Sequence, residues 1–409
     1  MRENYEDSWT DEPAEAGVFQ GWRERLVCEV PKDLLEHLEL GPIAIKVSAS
    51  QRLSIKDGLT MSSCTDYPAL ARLAHISKSA RFGEQVFFNR NLHVNQTNIC
   101  VLACRFCAFR RGPKSDGAYA LSVEEYISRV APFSEHIDEV HSVGGLHPDW
   151  GIDYYESLFR EFKQQFPRLM LKALTAVEIQ HLSRQEDITV SEVLERLKSS
   201  GLDCLPGGGA EILDDAVRDV ICRGKETSSE YIDIHRTAHN LGIPTNCTML
   251  FGTIETAEQR IIHLDKLRTL QDETGGFQCF VPYPFLPDAS RLPDAQLASS
   301  AETLRVIAIS RLMLDNIPHI KAYRMNIGDS VAAMALNGGA DDLDGTVGQE
   351  EIMHLAGSDT SLSTTGSELA RLIEDSGGIP IERDTIYSRF RRHQPPPPSS
   401  GRRLPVTAE

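Results

Sequence analysis

The chain has 409 residues, 41% of them apolar, with 59 acidic against 42 basic side chains and a net charge of −17 at pH 7. This is ample material for a large core, and the acidity excludes a general nucleic-acid binder, which needs a basic surface. No apolar signal segment opens the chain and no uncharged run is long enough for a bilayer, so a cytoplasmic, membrane-free protein is expected, its nine cysteines too sparse for a disulfide scaffold.

Residues 1–19 are acidic and polar, broken by Pro and Gly, and are expected to be disordered. Residues 20–90 read as a helical cap, with apolar stripes at Leu34, Leu35, Leu38 and Leu40 and from Tyr67 to His75. From residue 91 to about 330, strands alternate with helices. Val140–Gly145 reads as a strand entering a glycine turn, and Tyr154–Phe166 as an amphipathic helix stopped by Pro167. Leu169–Leu174 is an apolar strand, and Val190–Leu197 is helical up to Gly201. Leu202–Leu205 leads into Pro206-Gly207-Gly208-Gly209, and a helix over 229–241 precedes the strand Ile243–Phe251. A helix over 256–272 precedes a strand over Gly276–Pro282. Residues 331–390 form a closing region with a helical stripe from Glu368 to Ile373, and 391–409 is a tail whose run Pro395–Pro398 favours an extended polyproline conformation.

Strand, loop and helix in repetition predict an α/β fold of parallel strands with crossover helices. A doubly wound open sheet competes with a barrel. Polar and glycine-rich turns follow at least four successive strands, whereas an open sheet gathers them at one switch point, so a barrel is expected.

Cys100, Cys104 and Cys107 stand in the spacing C-x3-C-x2-C. Three thiolates leave one iron of an iron–sulfur cluster without a protein ligand, free to bind substrate. Zinc is the competing metal, with His93 as a fourth ligand. No second cysteine knuckle exists, however, and Phe106 and Phe109 supply an apolar collar suited to a cluster. Gly144-Gly145 reads equally as a tight turn, and Gly207-Gly208-Gly209 lacks the Lys-Ser/Thr ending of a phosphate loop. His235 and His239 share a helix face without the glutamate of a zinc protease helix, so a structural role is expected. Asp341, Asp342 and Asp344 lack calcium-loop spacing.

The cysteine spacing, with an aromatic before the third cysteine, resembles the radical S-adenosylmethionine (SAM) superfamily. Asn91–Phe109 and Ser142-Val-Gly-Gly-Leu-His-Pro148 resemble its menaquinone and deazaflavin branch. Lys172–Ile179, Leu205–Ile212, His235–Asn246, Leu270–Gln278, Gly339–Thr346 and Pro380–Tyr387 are similar to the aminofutalosine synthase family. The resemblance spans about residues 60–390. It implies a TIM-like (β/α) barrel with a helical N-terminal cap and a C-terminal extension. It also implies a [4Fe-4S] cluster on the three cysteines, whose open iron binds SAM, and a transferase that adds the resulting 5′-deoxyadenosyl radical to the enolpyruvyl double bond of 3-[(1-carboxyvinyl)oxy]benzoate. Phe106, Gly144, Gly145, Glu178, Glu211, Asn246 and Thr248 are then expected around SAM, the two acids at its ribose or amino group. An anionic small-molecule acceptor and an electron donor such as flavodoxin or ferredoxin are the implied partners.

Three positions depart from that family's pattern: Leu286 stands where a histidine is usual, Thr253 likewise, and Lys321–Asn326 brings polar groups into an apolar strand. All three are expected to face the acceptor, with His93, Tyr283, Arg324 and Asn326 as candidates for its pocket. The open alternatives are a paralogue with another acceptor, a hydrogen-abstracting cyclase of the same branch, and a zinc-stabilised binding module.

Overall fold

A computed structural model describes Trp9 and residues 28–393. The tails expected over 1–19 and 391–409 lie outside the described residues, apart from Trp9 and residues 391–393.

Among the described residues, ten strands form the sheet framework: β1 Gln85–Phe88, β2 Asn91–His93, β3 Glu139–Ser142, β4 Met170–Ala173, β5 Thr245–Phe251, β6 Phe277–Pro284, β7 His319–Ala322, β8 Asp342–Leu343, β9 Ile379–Arg383 and β10 Phe390–Arg392. Seven pair in the order β10-β9-β1-β8-β7-β6-β5, and three as β2-β3-β4. Parallel bridges Lys172–Cys204 and Leu205–Thr245 join the two sheets through residues 204 and 205. The ring closes where the amides of Asn91 and His93 donate to Thr346 Oγ1 (3.0 Å) and Val347 O (2.8 Å). The result is an eight-stranded parallel barrel, running from β2 through β3, β4, 204–205, β5, β6 and β7 to β8. β1 and β9 extend the sheet in parallel beside β8, and β10 pairs antiparallel at its edge.

The expected strands and helices fall where the alternation put them. Four crossover helices start from a capping box that ends the preceding loop: Ser122 with Glu125, Thr175 with Glu178, Thr227 with Glu230, Thr256 with Gln259. These caps and the loops before them gather at the C-terminal ends of the strands, the rim where a barrel places chemistry. The barrel runs beyond residue 330, because its last strand is β8. Two residues between Asp341 and Asp344 carry no apolar run, so no periodicity announced it. The acids here are matched from other elements: Asp341 by Arg311 of the helix Ser300–Met313 and by His319 of β7, Asp342 by Lys321 of β7 and Arg383 of β9.

The N-terminal helices Ile55–Ser63 and Tyr67–Phe82 pack on the outer helices Ala257–Thr274 and Ser300–Met313. Arg52 ties this layer to Asp315 (2.8 Å) and Asp272. No helix among the described residues is long and apolar enough to cross a membrane.

Candidate active site

The cysteine loop follows β2 and is fixed by its own backbone and by arginines. Arg111 N donates to Asn98 O (2.8 Å) and Cys100 N to Arg111 O (3.1 Å). Arg110 Nε donates to Cys100 O (3.3 Å), Arg111 Nη1 to Ala108 O (2.8 Å), and Arg291 Nη2 to Ala103 O (3.0 Å). These bonds fix the backbone of the loop that carries the three thiols, of which Cys107 lines the cavity. Burial pushes the Cys104 thiol up to about 12 and raises Cys107 as well, while the Lys225 ammonium opposes both shifts. Lys225 lies inside the wall, its Nζ 2.5 Å from Glu211 Oε1 and 5.4 Å from the centre of the Phe106 ring. Thiols that are neutral when buried become thiolates on binding iron, and a buried cation beside them favours that charge.

Among the described residues, no three His, Cys, Asp or Glu side chains form a group suited to one metal ion. A cluster makes a different demand, because its three ligands attach to three irons. Three thiols in one short loop, an apolar Phe106 and a buried cation fit a [4Fe-4S] cluster.

The glycine turn after β3 locks onto this loop. Gly145 N donates to Thr97 O (2.8 Å), and a Cβ on Gly145 would lie 2.2 Å from Ile99 O. Gly144 N donates to Glu178 Oε1 (3.0 Å), which also accepts from Gln96 Nε2 (3.0 Å). The other oxygen accepts from Thr175 N (2.6 Å) and Thr175 Oγ1 (2.8 Å). Glu178 is therefore engaged by four donors of the protein itself. Both glycine amides are also taken. Through these atoms the three groups position the loop, and Gly144 and Glu178 also line the cavity. Glu178 stands at the third residue of the helix Ala176–Glu186, where a capping box draws its carboxylate back over the turn.

Gly207 approaches β5 so closely that a Cβ would lie 2.5 Å from Cys247 Cα. Its carbonyl accepts from Thr248 Oγ1 (2.7 Å) and Tyr231 OH (2.8 Å), so the Thr248 hydroxyl proton is committed to the wall. Asn246 Oδ1 is buried without a partner and faces the cavity, a free acceptor for a ligand N–H or O–H. His235 Nδ1 and His239 Nε2 both bond Thr245 Oγ1, at 2.9 and 2.8 Å, which is the structural role expected of them.

One cavity of about 290 Å³ runs from Phe106, Cys107 and Gly144 into the barrel. Its inner end holds His93 stacked on His141, with ring centres 4.4 Å apart. Burial pushes His93 down to about 4 and His141 well below its usual value, so both rings are neutral. Lys172 pairs with Glu139 (3.0 Å), and Lys321 with Asp342 and with Leu343 O (2.8 Å). Tyr283, Leu286 and Asn326 also line the cavity. Asn326 Nδ2 donates to Pro284 O (3.1 Å), leaving its buried Oδ1 without a partner.

Two of the expected acceptor residues lie elsewhere. Arg324 is 1% exposed and outside the cavity wall, with Nε on Asp329 Oδ1 (2.8 Å) and Nη2 on Thr364 Oγ1 (3.2 Å). Its Nη1 lies 3.7 Å from Oδ1 of Asp344, a residue of the cavity wall, so the guanidinium sits directly behind that wall. Thr253 is buried against Glu255, with its amide on Oε2 at 2.9 Å, and does not line the cavity. Of the three departures from the family pattern, Leu286 and the segment containing Lys321 and Asn326 face the ligand space. Lys225, His141 and Lys172 were missed as site residues. Lys172 stood within a quoted motif, but nothing in its spacing distinguished a buried ammonium from a solvated one.

A loop of three cysteines at the rim of a parallel barrel, beside a largely apolar cavity set with a few buried polar groups, is the arrangement of a SAM-cleaving radical enzyme. The family model of the radical SAM superfamily matches residues 94–267, and that of the CofH/MqnC C-terminal region matches 274–395. The chain is 44% identical to aminodeoxyfutalosine synthase of Thermus thermophilus over 86% of its own length and 95% of that protein's. It is 39% identical to a 5-amino-6-(D-ribitylamino)uracil–L-tyrosine 4-hydroxyphenyl transferase of Methanothermobacter thermautotrophicus, over 79% and 89% of the two chains. The crystal structure of methylornithine synthase, at 19% identity, superposes with a TM-score of 0.67 over 83% of this chain and 97% of that one, which shows the barrel. The chain belongs to the aminodeoxyfutalosine synthase family of radical SAM enzymes. Its cofactor is a [4Fe-4S] cluster, and SAM is its co-substrate.

Proposed function

We propose that the chain transfers the 5′-deoxyadenosyl group of SAM to the olefinic carbon of 3-[(1-carboxyvinyl)oxy]benzoate, forming aminodeoxyfutalosine with loss of the carboxyl carbon, in the futalosine route to menaquinone. The observation that carries this reading is the match to aminodeoxyfutalosine synthase along nearly its whole length. Bound to Cys100, Cys104 and Cys107, the cluster supplies the electron that cleaves SAM. The protein's own groups do the rest. Gly144 and Gly145 hold the cysteine loop against the cavity, Asn246 Oδ1 offers an acceptor to the adenosyl part, and Lys225 with Glu211 closes the wall. Neutral His93 and His141, the Lys172 and Lys321 ammoniums and Asn326 Oδ1 form a polar inner end suited to the carboxylates of a benzoate acceptor. Depth in the barrel keeps water from a reactive intermediate. A cytoplasmic one-electron carrier supplies the reductant.

The test is anaerobic incubation of reduced enzyme with SAM and the enolpyruvyl benzoate, followed by mass spectrometry. An adenosyl adduct is expected. SAM cleavage to 5′-deoxyadenosine alone would overturn the acceptor and leave the radical chemistry standing. Leu286 on the cavity wall favours a second reading, a paralogue of the same chemistry with another acceptor.

A further inference from the structure

The outer face of the cysteine loop has a charge that the rest of this acidic chain lacks. Between Val101 and Ala118 stand Arg105, Arg110, Arg111 and Lys114, with Asp116 as the sole acid. Two more cations adjoin. Arg291 donates to Ala103 O (3.0 Å) and its own carbonyl accepts from Arg105 Nε (3.0 Å); Arg223 precedes Gly224, which lies against Leu102. Ion pairing is the rule elsewhere: Arg52, Arg90, Arg184, Arg196, Arg236 and Arg260 each hold a carboxylate. Among the described residues none of the six cations around the cysteine loop does; four of them bond backbone carbonyls and keep their charge uncompensated. At the centre of this patch Val101, 51% exposed, and Ala103 present apolar surface. One peptide, about 3.8 Å of chain, separates each from a cluster cysteine.

We propose that this face is the docking surface for a small acidic electron-carrier protein of the flavodoxin type. Such a carrier exposes an apolar flavin edge within an acidic rim. The patch is its complement, an apolar centre at Val101 and Ala103 within a rim of unpaired cations. A second copy of this chain is the competing occupant, since it too is acidic. On docking, the flavin hydroquinone loses one electron and the cluster gains it. The proposal rests on the radical SAM assignment and not on the acceptor.

The test uses the double variant Lys114→Glu/Arg223→Glu, two exposed residues away from the cavity. Holoenzyme is mixed anaerobically with flavodoxin hydroquinone in a stopped-flow instrument, and flavin absorbance gives the second-order rate constant. At low salt the variant should be slower by about tenfold, and the gap should close at high salt, as for an electrostatically steered encounter. Binding of oxidised flavodoxin to immobilised holoenzyme should weaken in parallel. Dithionite-driven SAM cleavage, read without any acceptor, should be unchanged. The neutral pair Lys114→Gln/Arg223→Gln should fall between, and it serves alone if the reversal fails to fold. An unchanged flavodoxin rate overturns the proposal, as does an equal loss with dithionite, which would place the effect on the cluster. A wild-type dimer in light scattering that dissociates in the variant, with an unaltered flavodoxin rate, would assign the face to a second copy. Because no benzoate enters these measurements, a wrong acceptor leaves them untouched.

Discussion

Replacing Glu178 by glutamine should flatten part of the pH dependence of stability. Glu178 is 2% exposed, and burial lifts its carboxyl from 4.5 to about 7 even though four donors face the anion. An acid whose value is higher in the fold than in the unfolded chain makes the fold weaker as it ionises. The fold is therefore favoured below pH 4.5, and that advantage is lost as pH rises through about 7. The interval from 4.5 to about 7, at 1.36 kcal/mol per pH unit, amounts to about 3 kcal/mol. Glutamine does not titrate, so that slope disappears. It also turns one acceptor into a donor, facing either Thr175 N or the pair Gly144 N and Gln96 Nε2, which costs about 1–3 kcal/mol for the buried donor left unpaired. At pH 5 the variant should thus be less stable than wild type, and by pH 8 the two should converge or cross. Anaerobic urea unfolding of cluster-free protein at pH 5, 6, 7 and 8, read by tryptophan fluorescence, measures this. Equal pH slopes for the two proteins would refute the assignment of Glu178 as a buried, titrating latch on the glycine turn.

The other expectations concern the walls of the same cavity. Gly145→Ala places a methyl carbon 2.2 Å from Ile99 O, so iron and sulfide content per chain should fall while the circular dichroism of the barrel is retained. Lys225→Met strands Glu211 as an unpaired buried carboxylate; it should destabilise the protein by about 3–5 kcal/mol and shift the cluster potential to more negative values in an EPR redox titration. Asn326→Leu removes an unpartnered acceptor from the inner end and should raise the acceptor KM about tenfold, the worth of one hydrogen bond, with the SAM KM unmoved. Arg324→Gln should lower thermal stability, since it removes the bonds to Asp329 and Thr364 and the ion pair to Asp344, and should leave the acceptor KM alone, since the side chain does not line the cavity.

The barrel was legible because its strands between residues 140 and 284 are apolar runs punctuated by glycine and capped helices. Cys100, Cys104 and Cys107 were legible because their chemistry is local: one loop carries all three ligands. β8 was not, because its neighbours Asp341 and Asp344 and its own Asp342 read as a polar turn. Only the pairing with Arg311, Lys321 and Arg383, each from another element, makes those acids acceptable in a core. Arg324 is the opposite case. A cation at a strand end is a fair candidate for an anionic ligand, but nothing nearby in the sequence announces that Asp329 and Thr364 capture it first.

Glu178 and Lys225 show why a site residue and a ligand contact are different inferences. Both are buried ionisable groups beside the cysteine loop, and each has already found its partners within the protein. Glu178 exhausts its acceptors on Gly144, Gln96 and Thr175, so what it fixes is a backbone turn. Lys225 spends one bond on Glu211 and still influences Cys104 and Cys107 through space, so what it fixes is a potential. The groups left over are the ones free to meet a ligand: Asn246 Oδ1 and Asn326 Oδ1, both buried without a partner on residues of the cavity wall that Leu286 also lines. On the readings proposed above, electron entry at the basic outer face and substrate choice within the cavity use different residues. A change of acceptor at Leu286 and Asn326 can therefore proceed without disturbing how the cluster is reduced.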